Sequence, residues 1–131
     1  MEVVAAIICM NGKVLCMRRG LGKYLYLQNK YEFPGGKIEK GETQIEALKR
    51  EIKEEMGFEL NVTESDFFMT VEHQYPDFDI TLHTYLCKVS SLDFEQREHI
   101  GHRWLTPQNL AEVDWAAADT DILEKLSNIT L

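Results

Sequence analysis

The chain has 131 residues, 22 Asp and Glu against 14 Lys and Arg, and a formal net charge of −8. That length fits one domain, residues 1–131, with a core that stands without staples. The acidic balance excludes a nucleic-acid polymer as main partner, since polyanion binding needs a basic face. It leaves room for a small phosphorylated ligand brought to carboxylates by a metal ion. Cys9, Cys16 and Cys87 lie in apolar runs without CxxC spacing and read as buried, reduced thiols of a cytoplasmic protein. The apolar start, Met1 to Met10, has no basic leader and is too short to span a bilayer, so no membrane segment is expected.

Two apolar runs, Glu2–Met10 and Lys13–Met17, flank Asn11-Gly12, the strongest short-range signal for an antiparallel hairpin. Arg18 to Lys30 reads as a loop. Tyr31 to Pro34 reads as a short extended piece, because Pro34 drives Phe33 out of the helical region. Gly35 and Gly36 open a glycine-rich loop. Thr43 and Glu46 match a capping box, so a helix is expected to begin between Glu42 and Gln44. Ile45, Leu48, Ile52 and Met56 give that helix a buried stripe, and Gly57 suits its left-handed end. Leu60–Val62, Asp66–Tyr75 and Ile80–Val89 read as strands, the last two joined by a turn at Tyr75-Pro76-Asp77. After a polar loop, Ser90–Glu98, comes an extended piece, His99–Leu105. Thr106-Pro107 opens a further helix, and a last helix runs from about Asp119 to Asn128. Helices mixed with hairpins point to an α/β (α+β) sandwich around a curved, mixed sheet.

The chemistry gathers between Gly35 and Phe58. Glu51, Glu54 and Glu55 stand at i, i+3 and i+4, on one side of a helix, where like charges repel. A cation between them relieves that repulsion, and Mg²⁺ takes hard oxygen ligands of this kind. Glycine at 35 and 36 lets a backbone carbonyl turn inward. Arg50 and Glu54, four apart, can pair across one turn.

The spacing from Gly36 is five residues to Glu42, seven to Arg50-Glu51, then Ile52, Glu54-Glu55, Gly57 and Phe58. Seven fixed positions at ordinary residue usage match by chance on the order of once in a billion windows. The pattern resembles the signature box of the Nudix hydrolases. With Phe33-Pro34-Gly35-Gly36-Lys37 and the opening Val-Val-Ala-Ala-Ile-Ile run, it looks like the MutT-type subgroup.

The resemblance implies the Nudix fold, a mixed sheet sandwiched between helices. It also implies Mg²⁺-dependent hydrolysis of a nucleoside triphosphate to the monophosphate and pyrophosphate, with Mn²⁺ as a substitute ion. The metal ligands it implies are the Gly35 carbonyl, Glu51, Glu54, Glu55 and Glu98, the last standing six residues before Trp104. Glu54 or Glu98 takes the proton from the attacking water, and Arg50, with Glu42, supports the metal-binding glutamates. Asp119 stands where the subgroup carries a base-binding Asn or Asp; its other reading is the cap of the last helix. Arg19 aligns with a ligand-contacting arginine. Lys37 is either a phosphate contact or a solvated side chain, and Phe33 and Phe78 are either stacking partners for a base or core. His99 and His102 flank Glu98 but lack the three or four good ligands of a zinc site. Two substrate readings stand, an oxidised purine such as 8-oxo-dGTP and a CTP or dCTP type. A different nucleoside diphosphate derivative and a non-catalytic nucleotide-binding module are the alternatives, and monomer and homodimer both remain open.

Overall fold

In the computed structural model, which describes residues 1–131, the sequence alternation of strand β1 (Glu2–Met10) explains the layering. Val4, Ala6 and Ile8 enter one core; Ala5, Ile7 and Cys9 enter another on the opposite face. A strand apolar on both sides must be covered on both sides. β1 is the centre of a seven-stranded mixed sheet. It pairs in parallel with β6 (Asp79–Lys88) and antiparallel with β2 (Lys13–Arg18) and with β4 (Gly35–Lys37). β5 (Phe67–Gln74) lies outside β6, while β3 (Tyr31–Glu32) and β7 (Gly101–Leu105) both pair with β2.

The β1–β2 turn has Asn11 at φ 53 and Gly12 at φ 76, the two positive angles of a type I′ hairpin. Helix α1 (Gln44–Met56) covers one face of the sheet. Its Thr43–Glu46 capping box is formed, and it stops at Gly57 with φ 75. Ala47, Leu48, Ile52 and Met56 are buried against Val4, Ala6, Ile8, Leu15 and Met17. Fully burying side chains such as Leu48 and Ile52 stabilises the fold by about 1.5–3 kcal/mol each. The other face is covered by Leu110, Trp115 and helix α2 (Thr120–Ser127), through Ile122 and Leu126. The Tyr31 N–H donates to the Asp114 carbonyl, and the Ala116 N–H to the Tyr31 carbonyl. These bonds draw the segment before α2 alongside β3. No helix is long and apolar enough to cross a membrane.

Four expectations change. Leu60–Val62 is not a strand; both side chains are buried in the core under α1, but no strand pairs with their backbone. Gly35-Gly36 is strand β4, because β1 has an edge free for it at this point. The helix at Thr106-Pro107 is a 3-10 segment, Pro107–Glu112. The piece at His99–Leu105 is a strand only from Gly101.

β4 approaches β1 so closely that a Cβ on Gly35 would lie 1.9 Å from the Val4 carbonyl oxygen and 2.7 Å from the Ala5 Cα. Both obstacles are backbone, so the strands must part. Gly35→Ala is expected to cost about 3 kcal/mol or more, at the severe end of overpacking. Urea unfolding of the purified variant measures this, and wild-type stability would refute the close approach.

Candidate active site

Arg50 organises the acidic turn of α1. Its Nε and Nη2 donate to the two oxygens of Glu42 (2.7 and 2.9 Å). Nη1 donates to Glu51 Oε1 (2.9 Å) and Glu54 Oε2 (3.2 Å), and Nη2 also reaches the Lys37 carbonyl (2.9 Å). One guanidinium therefore ties β4, the loop carrying Glu42, and α1 together; the bidentate fork to Glu42 is the strong part of the set. Hydrogen bonding from Arg50 holds the Glu42 carboxyl below the usual carboxylate range.

Glu55 is the exception among the acids of α1. It points to the core side and is 5 % exposed, and its Oε2 is buried with no hydrogen-bond partner. Burial, then the charges of Glu98 and Glu51, push its pKa up to about 9. Glu51 is also raised, by burial first, in spite of Arg50. A Cβ on Gly36 would fall within 2.3–2.7 Å of the Glu51 carboxyl, so glycine there leaves the space that carboxyl fills. A buried orphan oxygen facing two further carboxylates is the environment a hard divalent cation relieves. The donor set fits such an ion in chemistry. As it stands, no three carboxylate, His or Cys groups are arranged to hold a metal, and Arg50 instead occupies Glu51 and Glu54.

Glu98 comes from the loop before β7, which is fastened to the end of α1. The Glu95 N–H donates to the Met56 carbonyl (2.8 Å), the Arg97 N–H to the Glu55 carbonyl (3.2 Å), and Arg97 Nη1 to the carbonyls of Lys53 and Glu54 (3.2 and 3.3 Å). A cation on the last carbonyls of a helix is favourably placed.

A cavity of about 480 Å³ lies beside these groups, lined by Gly35, Gly36, Lys37, Glu55 and Glu98, and also by Arg19, Glu32, Phe33, Tyr75, Phe78 and Asp119. Glu51 and Glu54 are outside this lining, and Glu54 is 57 % exposed. Phe33 is 3 % exposed with its ring 4.8 Å from that of Trp115, so it is part of the core as well as the cavity wall. Phe78 packs at 5.1 Å on both Tyr24 and Tyr75. Lys37 is exposed. Arg19 donates to Glu32 (3.1 Å).

Asp119 does not cap α2: it makes no side-chain cap bond, because its backbone is already helical and its side chain turns into the cavity wall. It is 4 % exposed, and burial raises its pKa well above the usual 3.8. The turn before it is set by Tyr75, whose hydroxyl oxygen accepts from the Ala118 N–H (2.9 Å). Tyr75 and Glu32 are absent from the site residues that sequence motifs select, and His99, weighed there only as a zinc ligand, is the partner of Glu32. Strand alternation was the available signal for Glu32, since a buried Phe33 turns its neighbour to the opposite side.

The raised Asp119 pKa has a consequence for stability. The folded state keeps a proton that the unfolded chain releases, so the contribution of this group is full below about pH 3.8 and is lost as pH rises toward its folded pKa. Asp119→Asn is expected to be more stable than the wild type at pH 7, with the gap closing toward pH 4. Within that window the gap grows by up to about 1.4 kcal/mol per pH unit. Urea unfolding across pH 4–8 reads it; a gap independent of pH contradicts the burial of an ionisable group here.

The NUDIX domain family matches residues 3–125. The 8-oxo-dGTP diphosphatase of Escherichia coli K12 is 32% identical over 121 residues, 91% of this chain and 89% of that protein. The CTP pyrophosphohydrolase of the same organism is 33% identical over 123 residues, 94% of this chain and 88% of that one. The solution structure of the E. coli ORF135 protein superposes with a TM-score of 0.81 at 32% identity, covering 96% of this chain and 87% of that one. With its mixed sheet between helices and its acidic helix under a matching box, the chain belongs to the Nudix family and is a MutT-like Nudix hydrolase.

Proposed function

We propose that the chain hydrolyses a (deoxy)nucleoside triphosphate to the monophosphate and pyrophosphate with Mg²⁺, as a nucleotide-pool enzyme. The observation that carries this is the orphaned, buried Oε2 of Glu55 facing Glu51 and Glu98 on the wall of a cavity whose lining also includes Asp119. The Gly35 carbonyl, Glu51, Glu54, Glu55 and Glu98 would hold the ion. Once bound, the ion offsets charge on the phosphate oxygens and lowers the pKa of water.

The chain's own residues supply the rest. Arg50 orients Glu51 and Glu54. Glu54 and Glu98 are the exposed carboxylates from which the proton acceptor for the attacking water is drawn. Glu55 must lose its proton to bind a cation, so metal uptake releases protons near neutral pH. Lys37 stands at the cavity rim for a phosphate group.

Asp119, kept neutral by burial, offers one O–H donor beside one acceptor. That pair complements the adjacent N3 acceptor and N4 donor of cytosine. It equally complements the O6 acceptor and N7–H donor of 8-oxoguanine. The same edge of ordinary guanine offers two acceptors. The Asp119 side chain is thus compatible with both substrate readings, the CTP type through N3 and N4 and the 8-oxo-dGTP type through O6 and N7–H, while ordinary guanine offers such a pair only at O6 and N1–H.

A panel of CTP, dCTP, 8-oxo-dGTP and dGTP, titrated with Mg²⁺ and read by pyrophosphate release, tests this. The expected result is Mg²⁺-dependent release from CTP or 8-oxo-dGTP; tight binding without release would instead mark a non-catalytic nucleotide-binding module. Glu54→Gln and Glu98→Gln are expected to keep the fold, and the variant that removes the proton acceptor to lose about 10²–10⁴-fold in kcat. Near wild-type turnover of both at saturating Mg²⁺ sinks the assignment.

A further inference from the structure

Glu32 joins the two polar groups of the cavity. Its Oε1 accepts from Arg19 Nη1 (3.1 Å) and its Oε2 from His99 Nε2 (2.9 Å). It is on strand β3, held to β2 by pairing with Met17, and its side chain is one quarter exposed, whereas that of His99 is 6 % exposed. His99 has no other side-chain partner within hydrogen-bond reach, and it directly follows Glu98. Beyond it, the Ile100 N–H donates to the Arg18 carbonyl (2.9 Å). The loop carrying Glu98 is therefore strung between two supports: Arg97 on the end of α1, and His99 on Glu32. On the other side, the charges of Glu32 and Arg19 act on both Asp119 and Tyr75, and the charge of Glu32 also reaches Glu55. Among these groups, Glu32 alone bonds to both sides.

We propose that Glu32 is a positioning residue that bridges Arg19 to His99 and so makes the placement of Glu98 against Glu55 depend on what fills the Asp119 side of the cavity. A base that contacts Arg19 limits its guanidinium. A limited guanidinium fixes the Glu32 carboxylate, which in turn fixes the imidazole next to Glu98. The bridge needs two acceptor oxygens on one side chain. Glutamine keeps the size and one carbonyl oxygen but replaces the other acceptor by an NH₂ donor, so Glu32→Gln keeps the Arg19 link and reaches His99 only if the imidazole moves its proton from Nε2 to Nδ1. The inference rests on the nucleotide-hydrolase reading above.

The test compares wild type, Glu32→Gln and His99→Phe, with Arg97→Met as the variant that removes only the side-chain bonds from the loop to the Lys53 and Glu54 carbonyls. Amide hydrogen exchange is followed at Arg97 and Ile100 in metal-free protein, with and without saturating CTP or 8-oxo-dGTP. In the wild type the nucleotide is expected to slow exchange at both amides. Glu32→Gln and His99→Phe are expected to exchange faster at Ile100 without ligand, and to lose the slowing while still binding nucleotide. Arg97→Met is expected to exchange faster but to keep the slowing. With Mg²⁺, Glu32→Gln should lower kcat by about 10–100-fold and change KM far less. Unchanged Ile100 exchange in Glu32→Gln, or nucleotide slowing as large as in the wild type, overturns the proposal. A wild type that neither binds nor cleaves these nucleotides overturns the hydrolase reading, and the ligand-free exchange then decides the bridge alone. If Glu32→Gln does not fold, His99→Phe carries the same comparison.

Discussion

The hydrogen-bonded fork between Arg50 and Glu42 is what allows an acidic helix to sit beside an acidic loop. Without a cation, Glu51 and Glu54 would repel each other across a turn. Arg50 sits among them only because Glu42 takes both of its other N–H groups in a bidentate pair and the Lys37 carbonyl fixes the remaining direction. Breaking one partner of such a partly buried pair costs far more than the pair contributes, since it leaves the other charge uncompensated. Strand β4, the loop to α1 and the first turns of α1 thus form one electrostatic unit. The orphan oxygen of Glu55 takes no hydrogen bond from it.

What was legible in the sequence is what is decided locally. The Asn11-Gly12 hairpin, the Thr43–Glu46 cap and the Gly57 stop depend on residues within four positions of one another, and the structure has each of them. The sandwich of helices around a mixed sheet followed from the order of those elements and from the box. Leu60 and Val62 alternate like a strand, but alternation reports burial, not pairing, and here the burial comes without a partner strand. The acids of α1 read as one polar side. Glu55 is nevertheless on the flank facing the core, next to Met56 and one turn from Ile52, and its burial depends on which way the whole helix is rolled. Glu32–His99 and Tyr75–Ala118 join residues 67 and 43 positions apart; no window on the sequence holds both ends.

Under the proposed reading, one cavity would serve two chemically distant bases. Cytosine and 8-oxoguanine differ in size and ring number but share an adjacent donor and acceptor. A single buried carboxyl in an aromatic-walled space, when protonated, would complement that feature without measuring the ring. The aromatic wall of Tyr24, Tyr75 and Phe78 is tolerant because any base has a face to stack.

The parallel pairing of β1 with β6 carries a consequence for how the protein comes into being. β1 is made first, yet its central neighbour begins at Asp79, and the Glu2–Thr81 register closes a long stretch of chain. Such non-local closure is entropically slow and delays folding until most of the chain is present. The box and α1 lie wholly inside that span, whereas Glu98 and Asp119 lie after it. A nascent chain therefore carries the acidic helix well before it carries the cavity. A fragment that ends before Glu98 holds carboxylates without an enclosed site, and the cavity is complete only once Asp119 has been made.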